Sequence, residues 1–180
     1  KLKPFDLSYI EQPLELDDLS GHRMLRQAQS TPIALDESAY TLADVANIIK
    51  SDAADVILLD PHEQGGLSPA RKAAALAEAW NIPTGLHSGA ELALSQAAYL
   101  HLAASCPSMM IAIDTENPYL ADDISATSSS IVDGHMKPPS APGLGIEVDL
   151  DKIAHYATDH VRPAYLDPAR QGWFSTKPAY

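Results

Sequence analysis

The sequence predicts an α/β fold in which short strands alternate with longer helices. Two observations support this prediction. Five short apolar runs recur along the first part of the chain, and each is followed at once by a polar residue. Amphipathic stretches of helical length separate these runs, which is the pattern of repeated β-α units around a parallel sheet. The length of 180 residues, with 46% hydrophobic residues, is sufficient for one domain with a sizeable core.

A polar residue marks the end of every predicted strand. The strands are predicted at Leu7–Ile10, Ile33–Leu35, Val56–Leu59, Thr84–Leu86 and Met109–Ile113. The polar residues that follow are Glu11, Asp36, Asp60, His87 and Asp114, at intervals of 25, 24, 27 and 27 residues. Each interval is the length of one β-α unit, and in a closed β/α barrel the residues at the carboxyl ends of the strands converge on one face. We therefore expect these five side chains to face one cavity; the alternative is that each caps the helix that follows it.

Helices are predicted between the strands and near the end of the chain. The first four are Leu16–Gln29, Leu42–Ser51, Ser68–Trp80 and Glu91–Ala104, and a fifth, short helix is Asp149–Tyr156. Ser68 before Pro69 is typical of a helix start, and Asn81 followed by Pro83 is typical of a helix end. These signals place one helix in each β-α unit.

The second part of the chain has a different composition. Residues 122–144 are rich in Ser, Pro and Gly, which predicts a loop that crosses back over the surface. The tail with Trp173 and Phe174 is predicted to be irregular. We therefore expect a partial β/α barrel over residues 1–121 and a C-terminal extension over residues 122–180.

Composition excludes several classes of partner. A net charge of −12 and a pI near 4.8 argue against nucleic acid as a partner. Phosphate binding requires an excess of Lys and Arg over acidic residues, and this chain has an excess of acidic residues. The single cysteine, Cys106, cannot form an internal disulfide. No apolar run approaches the roughly 18 residues that a membrane span needs. We expect a cytoplasmic protein that binds neither nucleic acid nor membrane.

Five strands do not close a barrel. An eight-stranded β/α barrel typically needs about 200 to 250 residues. An open set of parallel strands leaves two unpaired edges and exposed apolar surface. We therefore expect an additional segment or another chain to complete the barrel, and we expect a homo-oligomer.

Two motifs resemble those of a known family. Glu11-Gln12-Pro13-Leu14 and Ala34-Leu35-Asp36-Glu37-Ser38 are similar to the mandelate racemase and muconate lactonizing enzyme branch of the enolase superfamily. The resemblance implies the carboxyl-terminal part of a (β/α)7β TIM-like barrel, about strands four to eight, with Glu11 and Asp36 as Mg²⁺ ligands. Hard oxygen ligands of this kind suit Mg²⁺. It also implies that the amino-terminal capping domain, a lysine base motif and a third metal ligand precede the residues of this chain, and that residues 122–180 return over the capping-domain side.

Asp60 and His87 indicate the type of acid-base chemistry. Asp60 lies five residues before Gly65-Gly66, and cycloisomerase-like members carry a lysine at the position of Asp60. His87 follows the next strand. This combination resembles the racemase-like and sugar-acid dehydratase members. There, a carboxylate that binds one imidazole nitrogen fixes the tautomer and raises the basicity of the other nitrogen. The resemblance therefore implies an Asp60–His87 dyad.

Later segments resemble the glucarate dehydratase subgroup in particular. They are Asp60-Pro61-His62, His87-Ser88-Gly89-Ala90-Glu91-Leu92, Ala112-Ile113-Asp114-Thr115 and Pro142-Gly143-Leu144-Gly145-Ile146-Glu147-Val148-Asp149. The resemblance places Asp114 near the catalytic histidine. It implies a Mg²⁺-dependent lyase that removes the α-proton of a sugar-acid-like carboxylate through an enediolate. The alternatives are a racemase or epimerase of the same superfamily, or a non-catalytic fragment or assembly subunit.

Overall fold

The computed structural model describes residues 3–127 and 129–159, and these form a parallel sheet covered by helices. The strands are β1 (Ile10–Glu11), β2 (Ile33–Leu35), β3 (Val56–Leu59) and β4 (Thr84–Leu86), in the spatial order β1-β2-β3-β4. The helices are α1 (Leu19–Ala28), α2 (Leu42–Ser51), α3 (Leu67–Ala79), α4 (Ala93–Ser105) and α5 (Leu150–Tyr156). Each of the first three helices connects two adjacent parallel strands. The predicted α/β fold is confirmed; the predicted irregular tail with Trp173 and Phe174 lies outside the described residues.

The sheet has a buried layer on each face. On the helix side, Ile33, Leu35, Ile57, Leu59 and Leu86 are almost completely buried and pack against α2, α3 and α4. On the other side, a smaller cluster contains Ala34, Val56 and Leu58, with Tyr9 and Ile111 packed against it. This alternation follows from the period of two in a strand. Both faces are apolar, as expected for a parallel sheet that is covered on each side.

The fifth predicted strand is wrong as an element. Instead of a strand over Met109–Ile113, the structure has one parallel bridge between Thr84 and Met109. The amide of Met110 donates to Ser108 O, 2.9 Å away, within its own segment, and the Met110 side chain is 78% exposed. A segment at the edge of a sheet pairs with a neighbouring strand on one side only, so few hydrogen bonds hold it extended. An apolar run at such an edge therefore does not suffice to predict a strand.

Helix ends depend on caps that local patterns identify only in part. Helix α1 begins later than predicted, because the Asp18 carboxylate accepts a hydrogen bond from Gly21 N at 2.8 Å. Helix α3 begins at Leu67 with Gly66 as its N-cap, so Ser68 lies within the first turn. Helix α4 is capped from the C-terminal segment, where the Asp123 carboxylate accepts from Ala93 N at 3.0 Å. That cap is 30 residues distant in sequence and could not be predicted locally.

A capping box fixes the start of α2 and gives a stability prediction. Asp44 N donates to Thr41 Oγ1 at 3.1 Å, and Thr41 N donates to Asp44 Oδ2 at 2.9 Å. Thr41→Ala removes the hydroxyl acceptor and should lower the free energy of unfolding by about 1 kcal/mol, measured by urea unfolding. Thr41→Ser keeps a hydroxyl and is the control. Equal stabilities for the Ala and Ser variants would contradict the role of the capping box.

The C-terminal extension contacts α4, and its own helix α5 packs back on residues 122–124. Lys152 Nζ and Tyr156 OH both contact Asp122, at 2.6 and 2.9 Å, and Asp149 N donates to Ile124 O. The predicted division at residues 121 and 122 remains a prediction. In the described part of the chain, none of the helices has the length and apolarity required to cross a bilayer.

Candidate metal and acid-base site

Four predicted polar residues lie at the carboxyl ends of four neighbouring strands. Glu11 is the last residue of β1, and Asp36, Asp60 and His87 directly follow β2, β3 and β4. Because the strands are parallel, these positions lie at one edge of the sheet. One ligand atom each from Glu11, Asp36 and His87 lie within 4.8 Å of one another.

Gln12 connects the first two motifs and holds their carboxylates together. Its Oε1 accepts hydrogen bonds from Asp36 N and Ser38 N, at 3.1 and 3.2 Å, and its Nε2 donates to Ser38 Oγ at 2.8 Å. Gln12 has a positive φ of 36°, which turns the chain sharply just after β1. The sequence contains Gln12 within the Glu11-Gln12-Pro13-Leu14 motif but does not indicate this contact. Its bridging role fixes Glu11 relative to Asp36.

Asp36 is the imidazole partner of His87 in this structure. Asp36 Oδ2 lies 2.9 Å from His87 Nδ1, and the aspartate is 2% exposed. The hydrogen bond to the Asp36 carboxylate raises the pKa of His87 to about 10, although burial opposes the charged form. This pairing therefore favours the protonated form of His87.

The oxygen atoms of the cluster fit a divalent cation. Asp36 Oδ1 and Glu37 Oε2 are buried and have no hydrogen-bond partner among the described residues. Partial burial and the nearby Asp36 charge raise the pKa of Glu11, and the same two causes raise that of Glu37. Buried carboxylate oxygens without donors are costly unless a cation or proton compensates them. Hard, anionic oxygen ligands are the donor set that Mg²⁺ prefers.

Asp60 has other partners than the predicted one. Its Oδ1 accepts from His62 N at 2.7 Å and from Tyr99 OH at 2.5 Å, and lies 3.2 Å from His62 Nδ1. Burial opposes ionisation of Asp60, but the hydrogen bonds from His62 and Tyr99 outweigh it and lower its pKa. The expected hydrogen bond within an Asp60–His87 dyad is thus replaced, within the described residues, by Asp36–His87 and Asp60–His62 pairs. The reason is that His62 follows Asp60 by two residues on the same turn, which brings its imidazole onto Oδ1.

Asp114 is less closely associated with the cluster than predicted. It is exposed and follows the segment that forms a single bridge, not a strand. Its charge contributes to the raised pKa values of Tyr9 and Glu11, so it faces the same end of the sheet. It also lines a cavity of about 430 Å³ beside α4, together with Tyr99 and Thr115. Its catalytic role remains a prediction.

Glu63 is a site residue that sequence reasoning missed. It is 9% exposed, and burial together with the charges of Asp36 and Asp60 raises its pKa to about 8. The loop between β3 and α3 folds back over the site, where Gln64 Nε2 donates to Ala39 O at 2.9 Å. A glutamate in a polar loop is ordinarily exposed, so no local signal distinguishes it.

Comparisons with known proteins agree on one family. The family model described as enolase C-terminal domain-like matches residues 1–152. The chain is 36% identical over 149 residues to N-succinylamino acid racemase from Amycolatopsis sp., covering 81% of this chain and 40% of that protein. It is 28% identical over 155 residues to D-xylonate dehydratase from Haloferax volcanii, covering 85% and 37%. The chain thus spans about two fifths of the length of these curated relatives.

One similar solved structure is described as a complex with magnesium. The enolase FG03645.1 from Gibberella zeae PH-1, complexed with magnesium, formate and sulfate, superposes with a TM-score of 0.78 and 30% identity. The match covers 86% of this chain and 36% of that one. The names of the relatives include a racemase and a dehydratase. The comparisons therefore identify the family of this chain but not its reaction.

Proposed function

The chain belongs to the enolase C-terminal domain-like family, and from this premise we propose that it forms part of a Mg²⁺-dependent enzyme that removes the α-proton of a carboxylate substrate. The observation that carries the proposal is the convergence of Glu11, Asp36 and His87 within 4.8 Å at the carboxyl ends of parallel strands. Strand ends of this kind are where β/α barrels place their catalytic groups. The whole enzyme would include a preceding portion that closes the barrel.

Glu11 and Asp36 would hold the cation, with Asp36 Oδ1 free to bind it. Bound there, Mg²⁺ would neutralise the carboxylates that keep His87 protonated and would stabilise the negative charge that develops on the substrate carboxylate. Gln12 connects the ends of β1 and β2, which bear the two proposed ligands, through its contacts with Asp36 and Ser38. The third ligand is expected from the preceding portion.

His87 is the proposed base. Its Nδ1 is held by Asp36, which leaves Nε2 for the substrate. Gly89 lies beside this nitrogen, and a Cβ atom there would be in van der Waals contact with Nε2 at 3.5 Å. In the reaction Nε2 would take the α-proton, and the C–H electron pair would move towards the substrate carboxylate. Asp60 and Asp114 complete the proposed catalytic set.

Dehydration of a sugar acid is the preferred reaction. The relative named D-xylonate dehydratase and the segments similar to the glucarate dehydratase subgroup support it. Racemisation or epimerisation is the second candidate, favoured by the 36% identity to N-succinylamino acid racemase. It requires a second base on the opposite face of the substrate, which the preceding portion would supply.

The two reactions separate when the complete enzyme is assayed in D₂O. A panel of sugar acids and N-acylated amino acids should be followed by NMR. Dehydration predicts loss of water and a 2-keto product, whereas racemisation predicts deuterium at the α-carbon with no loss of water. The absence of both from every substrate would favour the non-catalytic alternative. The carboxylate substrate, a homo-oligomeric state and a cytoplasmic location remain predictions.

Residues 1–180 alone should bind Mg²⁺ weakly and turn over no substrate. They supply two of the carboxylates that the resemblance requires, and Mg²⁺ gives up its waters reluctantly, so a missing anionic ligand should remove most of the affinity. Isothermal titration, with a size measurement in solution, tests this expectation. The complete enzyme is the control. Binding at about micromolar concentration together with turnover by this chain alone would contradict it.

A further inference from the structure

A second carboxylate–imidazole pair lies on the same face as the first. Asp60 Oδ1 is 3.2 Å from His62 Nδ1, and Tyr99 OH lies 3.0 Å from the same nitrogen. The opposite ring nitrogen, Nε2, lies 3.0 Å from Ser95 Oγ in the first turn of α4. Nδ1 of His62 therefore contacts Asp60 and Tyr99, and its Nε2 contacts the hydroxyl of Ser95.

The groups that hold His62 are buried, whereas His62 itself is partly exposed to solvent. Tyr99 is 2% exposed and Asp60 is 7% exposed, whereas the side chain of His62 is 57% exposed. The ring of Tyr99 also packs at a tilt against the imidazole, with centroids 5.6 Å apart. Since the orienting groups are fixed in the core and more than half of the His62 side chain is exposed, Nε2 can meet a molecule that arrives from solvent once its contact with Ser95 is released.

Ser95 indicates the chemical group that Nε2 can bind. Its hydroxyl is the same functional group as the hydroxyls of a sugar acid, and it sits at hydrogen-bond distance. Rotation of a serine about one bond releases this contact. A substrate hydroxyl could therefore take the place of Ser95 Oγ on His62 Nε2.

The charged groups around His62 lie in two loops, Asp60 in the loop after β3, and His87 and Glu91 in the loop between β4 and α4. The hydrogen bond to Asp60 raises the pKa of His62 first, burial opposes it, and the charges of Asp60 and Glu91 raise it further. The charge of His87, which follows the neighbouring strand β4, lowers it. The two imidazoles follow neighbouring parallel strands at one edge of the sheet and have different carboxylate partners, Asp60 for His62 and Asp36 for His87.

We propose that His62, held by Asp60 and Tyr99, is a second acid-base residue of this site and protonates the hydroxyl that leaves the β-carbon. This inference rests on the proposed function. His87 takes the α-proton, and the electron pair of that C–H bond passes into the enediolate. The pair then returns to form the new C–C double bond as the β C–O bond breaks with its electrons on oxygen. His62 Nε2 gives its proton to that oxygen, which departs as water. One proton is gained at His87 and one is lost from His62, so the step balances.

The pairing is tested without any turnover. In the complete enzyme with ¹⁵N-labelled histidine, the pKa of each imidazole is followed by NMR, with His62→Asn and His87→Asn for assignment. Asp60→Asn should lower the pKa of His62 by about 1 to 3 units and change that of His87 less. A fall for His87 with no change for His62 would overturn the assignment of Asp60 to His62.

The role is tested by separating the two proton transfers. His62→Asn should reduce dehydration by roughly 10² to 10⁴-fold while α-deuterium exchange in D₂O persists, because His87 is intact. His155→Asn, on exposed α5, is the matched control and should change neither. Dehydration by His62→Asn at the parental rate would overturn this inference alone. A complete enzyme without α-proton exchange or dehydration would overturn the proposed function as well.

Discussion

His87→Asn in the complete enzyme should reduce exchange of the substrate α-proton by roughly 10² to 10⁴-fold, the usual contribution of a general base. Asparagine approximates the shape of part of the ring and can still donate to Asp36, but it has no nitrogen that accepts a proton near neutral pH. His87 Nδ1 is 2.9 Å from Asp36 Oδ2, so the variant also removes the cation that competes for this carboxylate. Mg²⁺ affinity should therefore not fall.

Two measurements on the same sample check this expectation. Deuterium incorporation at the α-carbon reports the base, and isothermal titration with Mg²⁺ reports the metal site. His101→Asn is a suitable control, because the His101 imidazole lies on α4 against Leu144 O, in the C-terminal segment. Exchange by His87→Asn at the parental rate would show that another group is the base. A loss of Mg²⁺ binding would show instead that His87 is a ligand.

Asp36→Asn should have the largest effect on metal binding. The aspartate is 2% exposed, and its Oδ1 has no hydrogen-bond partner in the described part of the chain, so this buried oxygen is available to a cation. Substitution of an outer-shell partner usually costs about 10 to 100-fold in metal affinity, and loss of a direct ligand should cost more. Mg²⁺ affinity should accordingly fall by more than about 100-fold.

The control for this variant is Asp133→Asn, which makes the same chemical change in an exposed loop. Thermal unfolding should be measured beside the titration. Asp36→Asn removes a buried charge whose desolvation is only partly compensated, so weak binding in a folded protein would be a direct effect on the ligand set. Retention of parental affinity would exclude Asp36 from the metal site.

The alternation of strands and helices was predictable because it follows from local patterns of apolar and polar residues. Apolar runs at one-unit spacing predicted the bounds of β2, β3 and β4, and α2 has the predicted bounds Leu42–Ser51. Strand β1 was predicted at Leu7–Ile10 and shares only Ile10 with the observed strand. The positions of Glu11, Asp36, Asp60 and His87 at strand ends follow from the same spacing. Parallel strands joined by helices necessarily bring such positions to one edge.

Tertiary structure decided which ionisable groups meet and which segments form elements. Asp60 pairs with His62 and not with His87, because a turn of two residues and the phenol of Tyr99 on α4 meet the same carboxylate oxygen. Glu63 is buried by a loop that folds over the site, and α4 is capped by the distant Asp123. Spacing along the chain fixes the edge of the sheet on which a side chain lies. Hydrogen-bond pairing within a few ångströms depends on rotamers and on loops far apart in sequence, and only the packed structure specifies these.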